Sequence, residues 1–205
     1  MSTVVSQAYE KSLRRGFSRS ERGFTSVEMA VILLIIGIII GSALLTGNTL
    51  LPTLHADSSL DLVVTQLRQA REEAMDERRN FVVTFSGTNE IKVQRQELPL
   101  SNPTYTLVSD SFLGEGMTYS VLTPVDTPDN FDSSLTPLCF GSPCGASITF
   151  QGDGTAVTTI GGAPVNGTVF MATSGEPITA RAVTVMGATG QIQGYRYNGS
   201  TWTTQ

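Results

Sequence analysis

Arg22-Gly23-Phe24-Thr25-Ser26-Val27-Glu28 runs without a break into Met29-Ala-Val-Ile-Leu-Leu-Ile-Ile-Gly37-Ile-Ile-Ile-Gly41-Ser-Ala-Leu-Leu45. Residues 29–45 are 17 consecutive positions without a charge. As a helix at about 1.5 Å per residue they reach roughly 25 Å, and roughly 35 Å if the weaker apolar character is followed to Leu51, against a bilayer core of about 30 Å. The spacing predicts a membrane segment with one carboxylate, Glu28, placed inside its apolar boundary.

Upstream of this stretch, residues 1–22 are polar, basic and without apolar periodicity, so no packed structure is expected of them. Lys11, Arg14, Arg15, Arg19 and Arg22 against Glu10 and Glu21 give the first 23 residues a net charge of +3, and since the whole chain carries −5 the remainder carries −8. An excess of Arg and Lys before an apolar segment holds that end in the cytoplasm and sends the C-terminal side across. The acidic remainder is a poor match for nucleic acid, because phosphate binding is dominated by Lys and Arg.

Three readings of the junction compete. A secretory signal needs an apolar region of about 7 to 15 residues and a small-residue cleavage site, for which Leu54-His55-Ala56 is a weak match. A plain single-pass anchor accounts for the hydrophobicity but not for Glu28. The third reading takes the Gly-Phe junction, the acid and the long apolar run together. In that combination the stretch resembles the class III signal sequence of type IV pilins and type II secretion pseudopilins. The resemblance implies that a prepilin peptidase cuts on the cytoplasmic side after Gly23, that the new amine of Phe24 is methylated, and that Glu28 is the family's acidic assembly residue.

The spacing also has a physical reading. Cleavage after Gly23 leaves an ammonium on Phe24 about one helical turn before Glu28. A carboxylate taken into an apolar bundle costs several kcal/mol unless it meets a cation and hydrogen bonds. A neighbouring subunit's amine supplies that cation and fixes axial register; the alternative is that Glu28 snorkels to the interface. Gly37 and Gly41 form G-x-x-x-G, which permits close helix packing in membranes, although glycine is in any case common there. Beyond them, Thr46-Gly-Asn-Thr49 and Pro52 are expected to loosen or kink the helix.

A second helical stretch is expected from Asp57-Ser58-Ser59-Leu60-Asp61, with Ser58-x-x-Asp61 as a capping box. Leu60, Val63, Val64, Leu67, Ala70, Ala74 and Met75 follow 3-4 spacing, so one face packs on a core. The charged run from Arg71 to Arg79 reads as a solvated face with i,i+4 pairs. After Asn80 the period changes to two: Phe81-Val-Val-Thr-Phe85, Ser86-Gly-Thr-Asn89 and Ile91-Lys-Val-Gln-Arg95 read as a hairpin. Further strands are expected at 105–108, 117–122, 147–150, 155–159, 168–172, 178–185 and 191–197, with a long surface loop over 124–144. The fold class is α+β: a long N-terminal helix, half membrane and half amphipathic, packed on an antiparallel β-sheet head. The boundaries expected are a leader over 1–23, an assembly helix over 24–51, a neck and amphipathic helix over 52–79 and a β-rich head over 80–205.

Cys139 and Cys144 form C-x4-C. A local disulfide follows if the head lies outside the cytoplasm, and a pair of reduced structural thiols if it does not. Such a bridge would contribute somewhat less than the roughly 3 kcal/mol estimated for a 15-residue loop. With His55 as the only histidine and no further cysteines, a zinc site lacks ligands. Asp126, Asp129 and Asp132 lack the glycine and terminal glutamate of a calcium loop. No catalytic triad, phosphate loop or cofactor motif is visible, so no enzyme, metal or cofactor is expected.

Three further stretches narrow the resemblance: Gln66-Leu-Arg-Gln-Ala-Arg-Glu-Glu-Ala leading into Phe81, Phe150-Gln-Gly-Asp-Gly154, and Val183-Thr-Val-Met-Gly-Ala-Thr-Gly190-Gln-Ile-Gln-Gly-Tyr-Arg196-Tyr-Asn-Gly. They resemble the H-type minor pseudopilins and their FimT/FimU-like pilin relatives. Some FimT-like proteins bind DNA through a Gly-Arg-x-Arg ending; the matching residues here, Gly190-Gln191-Ile192-Gln193, hold neither arginine. The resemblance thus implies a minor pseudopilin of a type II secretion pseudopilus, or alternatively a minor pilin of a type IV pilus. It also implies a bacterial inner-membrane location with the head in the periplasm. The partners implied are other subunits, the prepilin peptidase and the assembly platform.

Overall fold

In the computed structural model, residues 23–99, 102–122, 127–129 and 136–205 are described, without the side chains of residues 43–49. The chain divides into two units, 1–46 and 47–205, and each is taken by itself.

One helix, α1, runs over Ser26–Glu77 with Pro52 inside it. Within the first unit, every described side chain from residue 23 to residue 42 is exposed, among them Leu33 at 63% and Ile38 at 64%. The described side chains of the apolar run end at Ser42, short of Leu45, and among the described residues no helix is long and apolar enough to cross a membrane.

In the second unit, Ala56, Leu60, Val63, Leu67, Ala70 and Ala74 of α1 are all buried. Their alternating 4-3 spacing keeps them on one stripe, which is the amphipathic face expected. The strands form two antiparallel sheets. The first has the order β3 (Tyr105–Phe112), β2 (Glu90–Gln96), β1 (Phe81–Ser86), β6 (Ser147–Phe150) and β7 (Ala156–Val157). The second has the order β11 (Trp202–Thr204), β10 (Gln191–Tyr197), β9 (Arg181–Met186), β8 (Gly167–Thr173) and β4 (Met117–Thr118), with β5 (Leu138–Phe140) also pairing β8. Alternate residues of β1, namely Phe81, Val83 and Phe85, join Ile91, Val93, Ile148 and Phe150 from the first sheet and Val169, Met171, Val183, Val185 and Ile192 from the second in one core against the helix. The chain is therefore α+β, a helix on antiparallel sheets, as the change of period after Asn80 predicts. The hairpin is also present, with Phe81 opposite Arg95 and Ser86 opposite Glu90.

Several boundaries differ from expectation. No second helix begins at Asp57: the backbone is helical from Ser26 through residues 46–49 and past Pro52. Ser58 caps nothing, and Ser59 instead donates to the His55 carbonyl (2.7 Å) and accepts from the Gly114 N–H (2.9 Å). A proline inside a helix costs about 3 kcal/mol; packing of the buried stripe that begins at Ala56 offsets this, which local propensity does not show. His55 has a partner, with Nδ1 3.2 Å from the Glu115 carbonyl. The expected 124–144 loop contains β5, with Leu138 opposite Val169, while residues 124–126 and 130–135 lie outside the described residues. The expected strand over 178–185 begins instead with a 3-10 turn at Pro177–Thr179.

Candidate functional site

At its N-terminus α1 is closed by a reciprocal pair of bonds. Thr25 precedes the first helical residue, and its Oγ1 accepts from the Glu28 N–H at 3.2 Å. The Glu28 carboxylate reaches back, with Oε2 accepting from the Thr25 N–H at 3.3 Å and from the Thr25 hydroxyl at 3.4 Å. This is a Thr-x-x-Glu capping box, which satisfies two of the orphan amides at a helix start, and the carboxylate also complements the positive end of the helix dipole. The capping box thus lies at Thr25 and Glu28, not at Ser58 and Asp61. Gly23, Phe24, Thr25 and Glu28 line one open concavity of about 450 Å³, and Phe24 is 70% exposed. Glu28 is therefore held within one turn of the Phe24 backbone by its own helix end. A Cβ added at Gly37 or Gly41 would meet nothing within 4 Å, so both leave an open notch in the surface of α1.

In the second unit, charged side chains tie the helix to the sheets. Among the described residues the expected i,i+4 ion pairs on the run 71–79 do not form. Arg79 pairs with Glu97, and Arg95 Nη1 pairs with Glu77 at 3.1 Å and Nη2 with Glu97 at 2.7 Å, so the end of α1 is bound to β2 and the residue after it. The Arg95 guanidinium and the Thr106 side chain hold the Glu97 carboxyl below the ordinary carboxylate value. Lys92 and Ser86 do the same for Glu90.

Sequence reading missed Arg181. It is fully buried in β9, yet its Nε donates to Asp57 Oδ1 at 2.8 Å and its Nη1 to the carbonyls of Ile178 and Ala180, both at 2.9 Å. Nη2 lies 2.7 Å from the same Asp57 oxygen, an ion-pair contact without hydrogen-bond geometry. Arg196 reaches Asp57 Oδ2 at 3.4 Å. Burial pulls the Arg181 pKa down, and the Asp57 carboxylate opposes it. The available signal was one cation in the otherwise uncharged run 178–185.

A third group lies where α1 crosses the turn between β9 and β10. Arg71 Nη2 donates to the Thr189 carbonyl at 3.0 Å and its Nε to the Gly154 carbonyl at 3.4 Å. Arg68 Nη2 donates to the Ile192 carbonyl at 3.4 Å. Gly190 has φ of +62°, and a Cβ there would stand 2.2 Å from the Gly154 oxygen, so only glycine permits this approach. The stretch 190–193 holds no arginine of its own, but the fold brings two to it from the helix.

Cys139 and Cys144 are joined in a disulfide with Cα atoms 4.3 Å apart. Among the described residues, no group of His, Cys, Asp and Glu could hold a metal ion.

These features define an α+β chain with an uncovered apolar helical segment, a capped carboxylate at its head and a helix-on-sheet globule. No protein-family model matches the chain, and no curated protein matches it. Among solved structures it is similar to the type IV minor pilin FimU of Pseudomonas aeruginosa PAO1 in two crystal forms. One is 15% identical over 72% of this chain and 91% of that one, with a TM-score of 0.46; the other is 17% identical over 67% and 90%, with a TM-score of 0.44. It is also similar to the minor pseudopilin EpsH of the type 2 secretion system of Vibrio cholerae, 16% identical over 72% of this chain and 99% of that one, with a TM-score of 0.45. At these values the likeness assigns no residue a role.

Proposed function

We propose that the chain is a pilin-like structural subunit, a minor pseudopilin of a type II secretion pseudopilus, and not an enzyme. The observation that carries this reading is the N-terminal arrangement: a Gly23-Phe24 junction after a basic segment, Glu28 fixed at the helix start, and an apolar surface exposed from Val27 to Ile40. So large an uncovered apolar surface is not stable in water and calls for lipid or other helices around it. Residues 24–51 then serve as the membrane and assembly helix, with 1–23 removed as leader by a prepilin peptidase and Phe24 methylated. The N-terminal side lies in the cytoplasm and the head in the periplasm, where the Cys139–Cys144 disulfide persists. Assembly partners are other pseudopilin or pilin subunits on an inner-membrane platform.

Glu28 has two jobs in this scheme. In the lone subunit it caps its own helix; in the filament its charge meets the Phe24 ammonium of a neighbour and sets register, since a wrong register buries an unpaired charge. Glu28→Gln separates the two, because glutamine also serves at this position of a capping box. The expected outcome is normal membrane retention and normal cleavage after Gly23, with incorporation into filaments lost. Filaments that take up the Glu28→Gln variant at wild-type level would refute the charge pairing. N-terminal sequencing that finds a start other than methylated Phe24 would refute the processing scheme. Deletion of the gene, read for loss of protein secretion against loss of surface pili, separates the pseudopilus from a type IV pilus.

A further inference from the structure

Arg68 and Arg71 sit on successive turns of α1 and line a cavity of about 370 Å³ with Glu72, Thr189, Gln191 and Ile192. Among the described residues both guanidiniums donate only to main-chain carbonyls, those of Ile192, Thr189 and Gly154. Among the described residues neither forms an ion pair, whereas Arg79, Arg95, Arg181 and Arg196 all do. A carbonyl orients a guanidinium without neutralising it, so two positive charges face the cavity against one carboxylate at its edge, Glu72. Two main-chain bonds hold the Arg71 fork beforehand and one orients Arg68, which lowers the entropy cost of binding.

We infer that this cavity is a docking site for one carboxylate side chain of a neighbouring protein subunit; the inference rests on the filament reading above. The excess of one positive charge matches a monoanion. Chains like this one supply such groups, since the residues after Gly23 carry a net −8, and charge-assisted bonds from arginine to carboxylate are among the stronger polar contacts. Nucleic acid fits less well. No aromatic side chain lines the cavity for base stacking, and phosphate-backbone binding draws on many cations over an extended surface.

Acetate is the probe. The full-length chain in detergent is titrated with sodium acetate and, at equal ionic strength, with sodium chloride, while the side-chain Nε–H resonances of Arg68 and Arg71 and the Gln191 amide are followed. The expected result is a saturable shift with acetate that chloride does not reproduce, weakened roughly 10-fold by Arg68→Gln. Unchanged Arg95 and Arg181 resonances show that the variant is folded, and Arg68→Lys, which keeps the charge, recovers part of the affinity. Equal shifts in chloride, absence of a shift, or an Arg68→Gln variant that binds like the wild type each overturn the site. A short DNA duplex that shifts the same resonances at lower concentration than acetate overturns the protein partner. In cells, Arg68→Glu is expected to lower filament incorporation while leaving cleavage after Gly23 intact, and wild-type incorporation overturns the docking role. Failure of the unmutated chain to be cut after Gly23 defeats the filament reading instead, and leaves the acetate result to decide the site.

Discussion

Arg181 shows how one side chain can fix the relation of a helix to a sheet. Its guanidinium is buried with no exposed surface, and among the described residues the only charge within reach besides Arg196 is Asp57, on α1. A buried pair of this kind adds little net stability compared with apolar residues, but removing one partner leaves an uncompensated charge in the interior. Asp57→Ala is therefore expected to lower unfolding stability by about 3–5 kcal/mol, measured by chemical denaturation. Arg181→Met combined with Asp57→Ala should recover much of that loss. A single variant as stable as the wild type would show that water, not Asp57, satisfies Arg181. Glu28, at the N-terminus of the same helix, is also a carboxylate, but it is exposed and serves as a cap, so its charge remains available to another chain.

At the scale of elements, the end of α1 is the most locally determined joint. The Arg79 N–H bonds the Ala74 carbonyl at 3.2 Å, and Arg78 between them takes φ of +52°. This is the six-to-one closure that commonly ends a helix, with an arginine where glycine is usual. A left-handed residue with a Cβ costs roughly 1–2 kcal/mol, and Arg78 forms no ion pair among the described residues. Arg78→Gly is expected to raise stability by about 1 kcal/mol, visible as a higher melting temperature. A lower one would mean that the arginine stem packs more strongly than its backbone is strained. A Cβ at Gly152 would lie 3.0 Å from the Arg78 Cα, and one at Gly154, which takes φ of +83°, would lie 2.8 Å from the Met75 sulfur, so each end of the stretch 152–154 has its own reason to be glycine. A similar constraint acts on β8, where a Cβ at Gly167 would fall 2.0 Å from the Phe140 ring, a ring stacked on Phe85 at 5.5 Å.

Over the whole molecule, two carboxylates in and beside β2 have an ionised form that is favoured in the folded state. Glu97 sits between Arg95 and Arg79, and Glu90 beside Lys92. Both carboxyls are held below their ordinary value of 4.5. A depressed folded pKa contributes stability that is complete above the unfolded value and is lost as pH falls through the folded one. The melting temperature of the full chain is therefore expected to be insensitive to these groups above about pH 5 and to fall as the medium is acidified below 4.5. Glu97→Gln should flatten that acid limb. An acid limb unchanged in the variant would assign it to other carboxylates.

Much of this was legible in the residues themselves. The Gly23-Phe24 junction, Glu28 and the 17 uncharged positions after it stand next to one another in the chain, so their spacing is read directly from the sequence. The buried stripe from Leu60 to Ala74 and the alternation in Phe81-Val-Val-Thr-Phe85 are short-range periodicities that a helix or a strand imposes directly. Whether the helix stops near Pro52, where Thr-x-x-Glu rather than Ser-x-x-Asp becomes a capping box, and which strand β5 joins were decided by tertiary packing, because each is a competition between local preference and burial that only the folded core settles. The pairing of Asp57 with Arg181 and the meeting of Arg68 and Arg71 with the 189–192 turn span 118 to 124 residues. No periodicity carries information over that distance; it takes the sheet order β11-β10-β9-β8, laid against one face of the helix, to bring those charges together.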